Sequence, residues 1–126
     1  MSALSSKPLI WIGSSRDDLR EFPEEVRGLM GHALFMAQCG LKHEQAKPLK
    51  GYGDAGVLEI VESFASDAYR AIYTVRLAGR VYVLHAFQKK SKRGSATPKA
   101  DLDLIRLRLK RATQLHAEWQ RTSKGA

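Results

Sequence analysis

The sequence predicts an α+β domain with its elements in the order β-α-α-β-β-β-α. Short runs rich in β-branched and aromatic residues, the composition of strands, lie at 8–12, 57–64, 69–77 and 80–87. Apolar residues recur at helical spacing in two other stretches, Phe22 to Ala37 and Leu102 to Trp119. The last two strand-like runs flank Ala78-Gly79, where a two-residue loop with glycine supplying positive φ makes a hairpin. With 126 residues the chain is long enough for one domain with a real core. Residues 1–7 and those from about Thr122 to 126 are expected to be flexible tails.

The first strand is Pro-Leu-Ile-Trp-Ile at 8–12. Ser14 and Ser15 then offer a helix N-cap, with Asp18 three positions after Ser15 where a capping box places its acid. A short helix follows over 16–21. Pro23 suits the first turn of a second helix, and Glu24 and Glu25 sit at the positive end of its dipole. Phe22, Val26, Leu29, Ala33 and Met36 form its apolar stripe, widened by Met30, Leu34 and Ala37, and Gly40 is the stop. Gly28 and Gly31 each weaken this helix by roughly 1 kcal/mol relative to Ala unless a neighbour uses the space. Residues 42–56 read as a polar, Gly-rich connection carrying Lys42, Lys47 and Lys50, long enough to be functional. Thr97-Pro98 is an N-cap and first-turn pair for the last helix, with Asp101 and Asp103 near its positive end.

Charge narrows the function. Residues 68–100 contain no Asp or Glu but eight basic residues: Arg70, Arg76, Arg80, Lys89, Lys90, Lys92, Arg93 and Lys99. The chain has 21 basic and 13 acidic groups, so the whole excess of +8 falls in this segment. A concentrated positive field attracts a polyanion, nucleic acid first. Lysines also protect exposed sheet edges, but eight cations without one acid exceed that need. The lone Cys39 excludes an internal disulfide and reads as a small buried hydrophobe in a reducing cytosol. No apolar run reaches the roughly 18 residues of a membrane span, and residues 1–7 lack the pattern of a signal peptide. The expectation is a cytoplasmic protein with no membrane partner.

Strand alternation puts Arg70, Ile72, Thr74 and Arg76 on one face and Tyr69, Ala71, Tyr73, Val75 and Leu77 on the other. The second set reads as core, which leaves Arg70 and Arg76 on an open surface. The next strand leads into a cationic loop, Gln88 to Gly94, so Arg70 should lie within reach of Lys89 or Lys90. His85 shares a strand face with Val83 and Phe87; it is either a packed residue or a proton carrier. His32, His43 and His116 are scattered without metal-ligand spacing, so no metal site is expected. Gly51 to Gly56 precedes a strand and not a helix, so it is no phosphate cradle. An acid-poor cationic site permits RNA cleavage, because RNA supplies its own 2′-hydroxyl nucleophile. Positioning, charge stabilisation and proton transfer then come from Arg, Lys, Tyr or His without a cofactor. Asp54, Glu59 and Glu62 lie close enough in sequence to offer magnesium ligands instead.

At Tyr69-Arg70-Ala71-Ile72-Tyr73 and at Leu84-His85-Ala86-Phe87-Gln88-Lys89-Lys90-Ser91-Lys92 the chain resembles the phage-related HigB-like toxins of the RelE/ParE superfamily. The resemblance continues through Lys47-Pro48-Leu49-Lys50-Gly51, Val57 to Glu62, Thr97-Pro98 and Asp103 to Leu109, about residues 7–110 in all. It implies helices packed on one face of a small antiparallel sheet. It also implies a ribosome-dependent mRNA endonuclease needing no cofactor, neutralised by a cognate helix-turn-helix (HigA-like) antitoxin. By position, Arg70 matches a phosphate-contacting arginine, Lys89 and Lys90 the subfamily's basic pair, and Lys47 and Lys50 its basic segment before the second strand. The expected catalytic set is therefore Arg70, Lys89, Lys90 and His85. Lys47, Lys50, Arg76, Lys92 and Arg93 are expected to bind RNA. The C-terminal tyrosine that some members use as a base has no equivalent, since Trp119 is the last aromatic. The ParE branch shares the fold but poisons DNA gyrase, so a gyrase-directed toxin and a non-toxic phage-derived nucleic-acid-binding domain are the alternatives.

Overall fold

The two central strands of the sheet are buried on both faces over most of their length. The computed structural model describes residues 6–52, 56–89 and 97–125. Within them the order is β1 (Leu9–Trp11), α1 (Ser15–Arg20), α2 (Glu24–Gln38), β2 (Ala46–Pro48), β3 (Val57–Phe64), β4 (Asp67–Thr74), β5 (Val81–Lys89) and α3 (Lys99–Gly125). Across the sheet the strands run β1-β5-β4-β3-β2. β1 is parallel to β5, and the other neighbouring pairs are antiparallel. The class is α+β, as expected.

One face of the sheet packs on α1 and α2, joining Leu19, Phe22, Val26 and Met30 to Tyr69, Ala71, Tyr73 and Val83. The other packs on α3, joining Ile105 and Ala112 to Ile72, Tyr82 and Leu84. Helices on one face alone is therefore corrected, as is the open surface expected for Arg70. Ile72 and Thr74 share Arg70's strand face and are fully buried. Leaving two such residues in water would forfeit roughly 1.5–3 kcal/mol for the isoleucine alone, and α3 removes that penalty. Arg76 remains exposed.

β3 occupies the expected residues and turns into β4 through Ala65 and Ser66, whose φ angles are 51° and 76°. Two positive φ values are what a two-residue I′ hairpin turn requires. β4 and β5 are connected less tightly than the Ala78-Gly79 reading implied. β4 ends at Thr74, Val75 N–H adds one further bond to the β3 side by donating to Gly56 O (3.0 Å), and residues 75–80 connect it to β5. β2 lies inside the stretch read as a loop. It pairs with β3 through Ala46, Lys47 and Pro48, and a three-residue edge strand holding a proline carries too little pattern to be read as one.

α2 ends as expected at Gly40 (φ +83°), with Leu41 N–H donating to Met36 O (2.8 Å) and Gly40 N–H to Ala37 O (3.0 Å). This is a Schellman arrangement. Cys39 in that turn is exposed, contrary to the buried reading. Ser14 is the N-cap residue of α1, as expected, but makes no side-chain cap bond. Ser14 Oγ donates to the Asp18 carboxylate (2.7 Å), and buried Ser15 Oγ donates to Val83 O (3.1 Å), fixing α1 to β5. Lys7 is not loose either: its N–H donates to Gln38 O, and its carbonyl accepts from Gln38 Nε2. α3 continues to Gly125, past the tail expected from Thr122.

Candidate functional site

α3 runs back along β5, so its first turns roof the end of the sheet where β4 begins and β5 finishes. Pairing brings Lys47 of β2 beside Glu59 of β3, and Glu59 beside Ile72 of β4, with Arg70 one step along the same face. Arg70 is only 4% exposed. Its Nη1 donates to Glu59 Oε2 at 3.3 Å and to Thr97 Oγ1 at 3.4 Å, while its Nε is buried without a partner among the described residues. Lys47 Nζ approaches the other Glu59 oxygen at 3.9 Å and is 63% exposed. Beside this cluster opens a cleft of about 460 Å³, lined by Lys47, Leu49, Lys50, Glu59, Thr97 and Leu102. Two lysines stand at its mouth, and the Glu59 carboxylate in its wall is backed by a buried guanidinium.

A second polar group lies one strand over. The β4–β5 ladder slips between Ile72 and Tyr73, so that Ile72 opposes His85 while Tyr73 opposes Val83. The extra residue is Leu84, and the bulge turns both Leu84 and His85 to the α3 side. Strict alternation would put His85 with Val83 against α2. His85 instead stacks on Phe87 (4.9 Å between centroids), and its Nε2 meets Asp101 Oδ1 at 2.7 Å. Its Nδ1 faces Arg108 Nη1 at 3.4 Å. Arg108 is held in turn by donating to Leu84 O and Ser14 Oγ, both at 3.0 Å. With both ring nitrogens engaged and the residue buried, His85 ties α3 to the sheet and presents no free nitrogen to the cleft.

The residues singled out from sequence thus divide. Lys47, Lys50 and Arg70 converge on the cleft. Lys89 is half-buried on β5 and lies on the α3 face by alternation, opposite Ala68 and so one step from Arg70. Lys90, Lys92 and Arg93 fall outside the described residues. Arg76 and Arg80 lie at the other end of the hairpin. There Arg76 packs against Gly56, and the Arg80 guanidinium stacks over Trp119 at 4.1 Å and donates to Tyr82 OH. Tyr82 OH also bonds His116 Nδ1 (3.0 Å), and burial, then the Arg80 charge, lower the pKa of this imidazole. The cations of 68–100 that are described therefore do not form one patch. Glu59, Thr97, Asp101 and Arg108 were missed as partners. Glu59 carried one signal, an acid set between Leu58 and Ile60 inside a strand. Among the described residues no three His, Cys, Asp or Glu side chains converge as metal ligands, and no helix is long and apolar enough to cross a membrane.

Comparison with known proteins gives one family. Among solved structures, the chain is similar to a chain of the toxin–antitoxin complex RelBE2 from Mycobacterium tuberculosis. That similarity has a TM-score of 0.45 and 18% identity, covering 67% of this chain and 99% of the other. No curated protein matches it. The model of the family described as phage derived protein Gp49-like (DUF891) matches residues 17–110, a span from α1 into α3 that includes the cleft and the His85 cluster. The chain belongs to the Gp49-like family of phage-derived proteins.

Proposed function

We propose that the protein is the toxin of a type II toxin–antitoxin pair and cleaves mRNA, with the ribosome presenting the substrate. The observation that carries this reading is the cleft. Exposed Lys47 and Lys50 flank Glu59, a carboxylate oriented by Arg70. Family membership and the sequence resemblance support it. In the reaction Glu59 accepts the proton of the 2′-hydroxyl as that oxygen attacks the adjacent phosphorus. Lys47 and Lys50 stabilise the charge gathering on the phosphoryl oxygens, and the 5′-oxygen departs with a proton from a lysine or from water. The products are a 2′,3′-cyclic phosphate and a 5′-hydroxyl. Arg70 acts through Glu59 as a positioning residue, and His85 through the seat of α3. Lys89, opposite Ala68 and one step from Arg70, extends the cationic track for the RNA backbone.

The test is inducible expression followed by transcript mapping, with cleavage of a ribosome-bound message repeated in excess EDTA after ribosome integrity has been verified. Growth arrest with transcripts ending in cyclic phosphate is expected, and a 2′-O-methyl group at the cut site should block the reaction. Glu59→Gln should lower the rate by about 10²- to 10⁴-fold, the range for a general base. Growth arrest through DNA damage with transcripts intact would favour a gyrase-directed toxin instead.

A further inference from the structure

A second groove lies away from the cleft, where α3 passes the connection from β1 to α1. It has a volume of about 530 Å³; Ile12 and Leu104 line its wall and Leu107 its edge, with Lys110 and Arg111 beside them. Leu107 is 64% exposed, one of three large hydrophobic residues so placed among the described residues. Arg108 forms part of the groove and is already fixed by Leu84 O and Ser14 Oγ, so this wall is preformed. The turn beneath requires Gly13: its φ is +58°, and a Cβ there would lie 2.8 Å from the Arg108 guanidinium. Residues 104–117 contain Arg106, Arg108, Lys110 and Arg111 and no acid.

We propose that this groove docks an acidic amphipathic helix of a partner protein. Leucines on one face of the ligand would cover Leu104 and Leu107, and glutamates or aspartates beside them would meet Lys110 and Arg111. The charge chooses the occupant. A second copy of this chain docking through the same groove would bring Lys110 and Arg111 against their own kind, and like charges in contact oppose such a face-to-face dimer. RNA would satisfy the cations but leave Leu107 in water, since a phosphate backbone offers it no apolar cover. A helix with acids flanking leucines satisfies both features, the groove mode of peptide recognition. The proposal concerns binding alone and stands apart from the cleavage chemistry.

The experiment titrates the full-length protein into a fluorescein-labelled helical peptide of about 14 residues, with Leu at i, i+4 and i+7 flanked by Glu. Anisotropy is read against a scrambled peptide of equal charge. Saturable binding by the patterned peptide alone is expected. Leu107→Ser should weaken it by about 10-fold or more, as loss of a central apolar anchor does. Lys110→Glu/Arg111→Glu should weaken it comparably and shift preference to a peptide carrying Lys in place of Glu. All three positions are exposed, and circular dichroism with a melting curve shows whether each variant is folded. Equal binding of the scrambled peptide, or indifference to both variants, would overturn the proposal. So would displacement of the peptide by a 12-nucleotide single-stranded RNA whose own binding needs Lys110 and Arg111 but not Leu107, which would make the groove an RNA surface.

Discussion

Arg70 keeps a guanidinium beneath the start of α3 with its Nε unpaired among the described residues, and the buried charge is balanced by Glu59. Arg70→Ala should leave that carboxylate buried with Lys47 at 3.9 Å as its remaining partner. Breaking a buried pair typically costs about 3–5 kcal/mol, and Lys47 swinging closer should hold the loss to the lower end. Urea denaturation measures it, and Arg70→Met/Glu59→Leu should recover most of the stability while remaining inactive. His116 makes a pH prediction with a definite sign. Burial and then Arg80 hold its folded pKa below the ordinary value of 6.5. Between those two pKa values the unfolded chain binds the extra proton, so its contribution is intact above about pH 6.5 and is lost as pH falls toward the folded pKa. Its ring is faced by Tyr82, Trp119 and Arg80. His116→Gln should flatten the fall in stability between pH 7 and pH 5, measured by denaturant midpoints at each pH.

α2 offers the clearest test at the level of an element. Gly28 and Gly31 are exposed, and a Cβ on either would meet nothing within 4 Å. No close neighbour uses the space, so each glycine carries only its conformational cost. Gly28→Ala and Gly31→Ala should each stabilise the fold by about 1 kcal/mol, visible as a rise in Tm with cleavage unchanged. The same helix shows why much of the architecture was legible beforehand. Its stripe, its acids in the first turn and its glycine stop are local signals that agree, and β3 and α3 were equally plain. What escaped was set by tertiary contacts. β2 is a strand only because β3 lends it a ladder, and the bulge that turns His85 toward Asp101 leaves no glycine or other local mark in Val83-Leu84-His85-Ala86-Phe87. The role of α3 escaped for the same reason: alternation gave the two faces of β4 correctly, but not what would cover the face carrying Arg70. Of the site, the cations Lys47, Lys50 and Arg70 were legible from the resemblance. Their carboxylate partner came from β3, paired with the strands of Lys47 and Arg70.

At the scale of the whole molecule, the described cations that were grouped by sequence are separated by the length of the hairpin. Lys47, Lys50 and Arg70 gather where α3 begins, whereas Arg76 packs against Gly56 and Arg80 sits near the far end of α3, occupied with Trp119 and Tyr82. Two clusters at opposite ends of a sheet cannot both follow one short strand of RNA, so net charge alone overstates the binding surface. Counterion release distinguishes the two ends. Each phosphate contact to single-stranded RNA contributes about 0.7 to the slope of log K against log salt. If the cleft lysines hold phosphates, Lys47→Ala/Lys50→Ala should lower that slope by about 1.4. Arg76→Ala, at an exposed position beyond the cleft, should leave the slope unchanged and reduce affinity only slightly through the long-range field. The measurement is RNA binding from about 50 to 200 mM salt by a Glu59→Gln protein, in which the proposed cleavage should be slowed by about 10²-fold or more. An Arg76→Ala slope that falls as far as that of the double lysine variant would place the RNA path across the hairpin turn and detach it from the cleft.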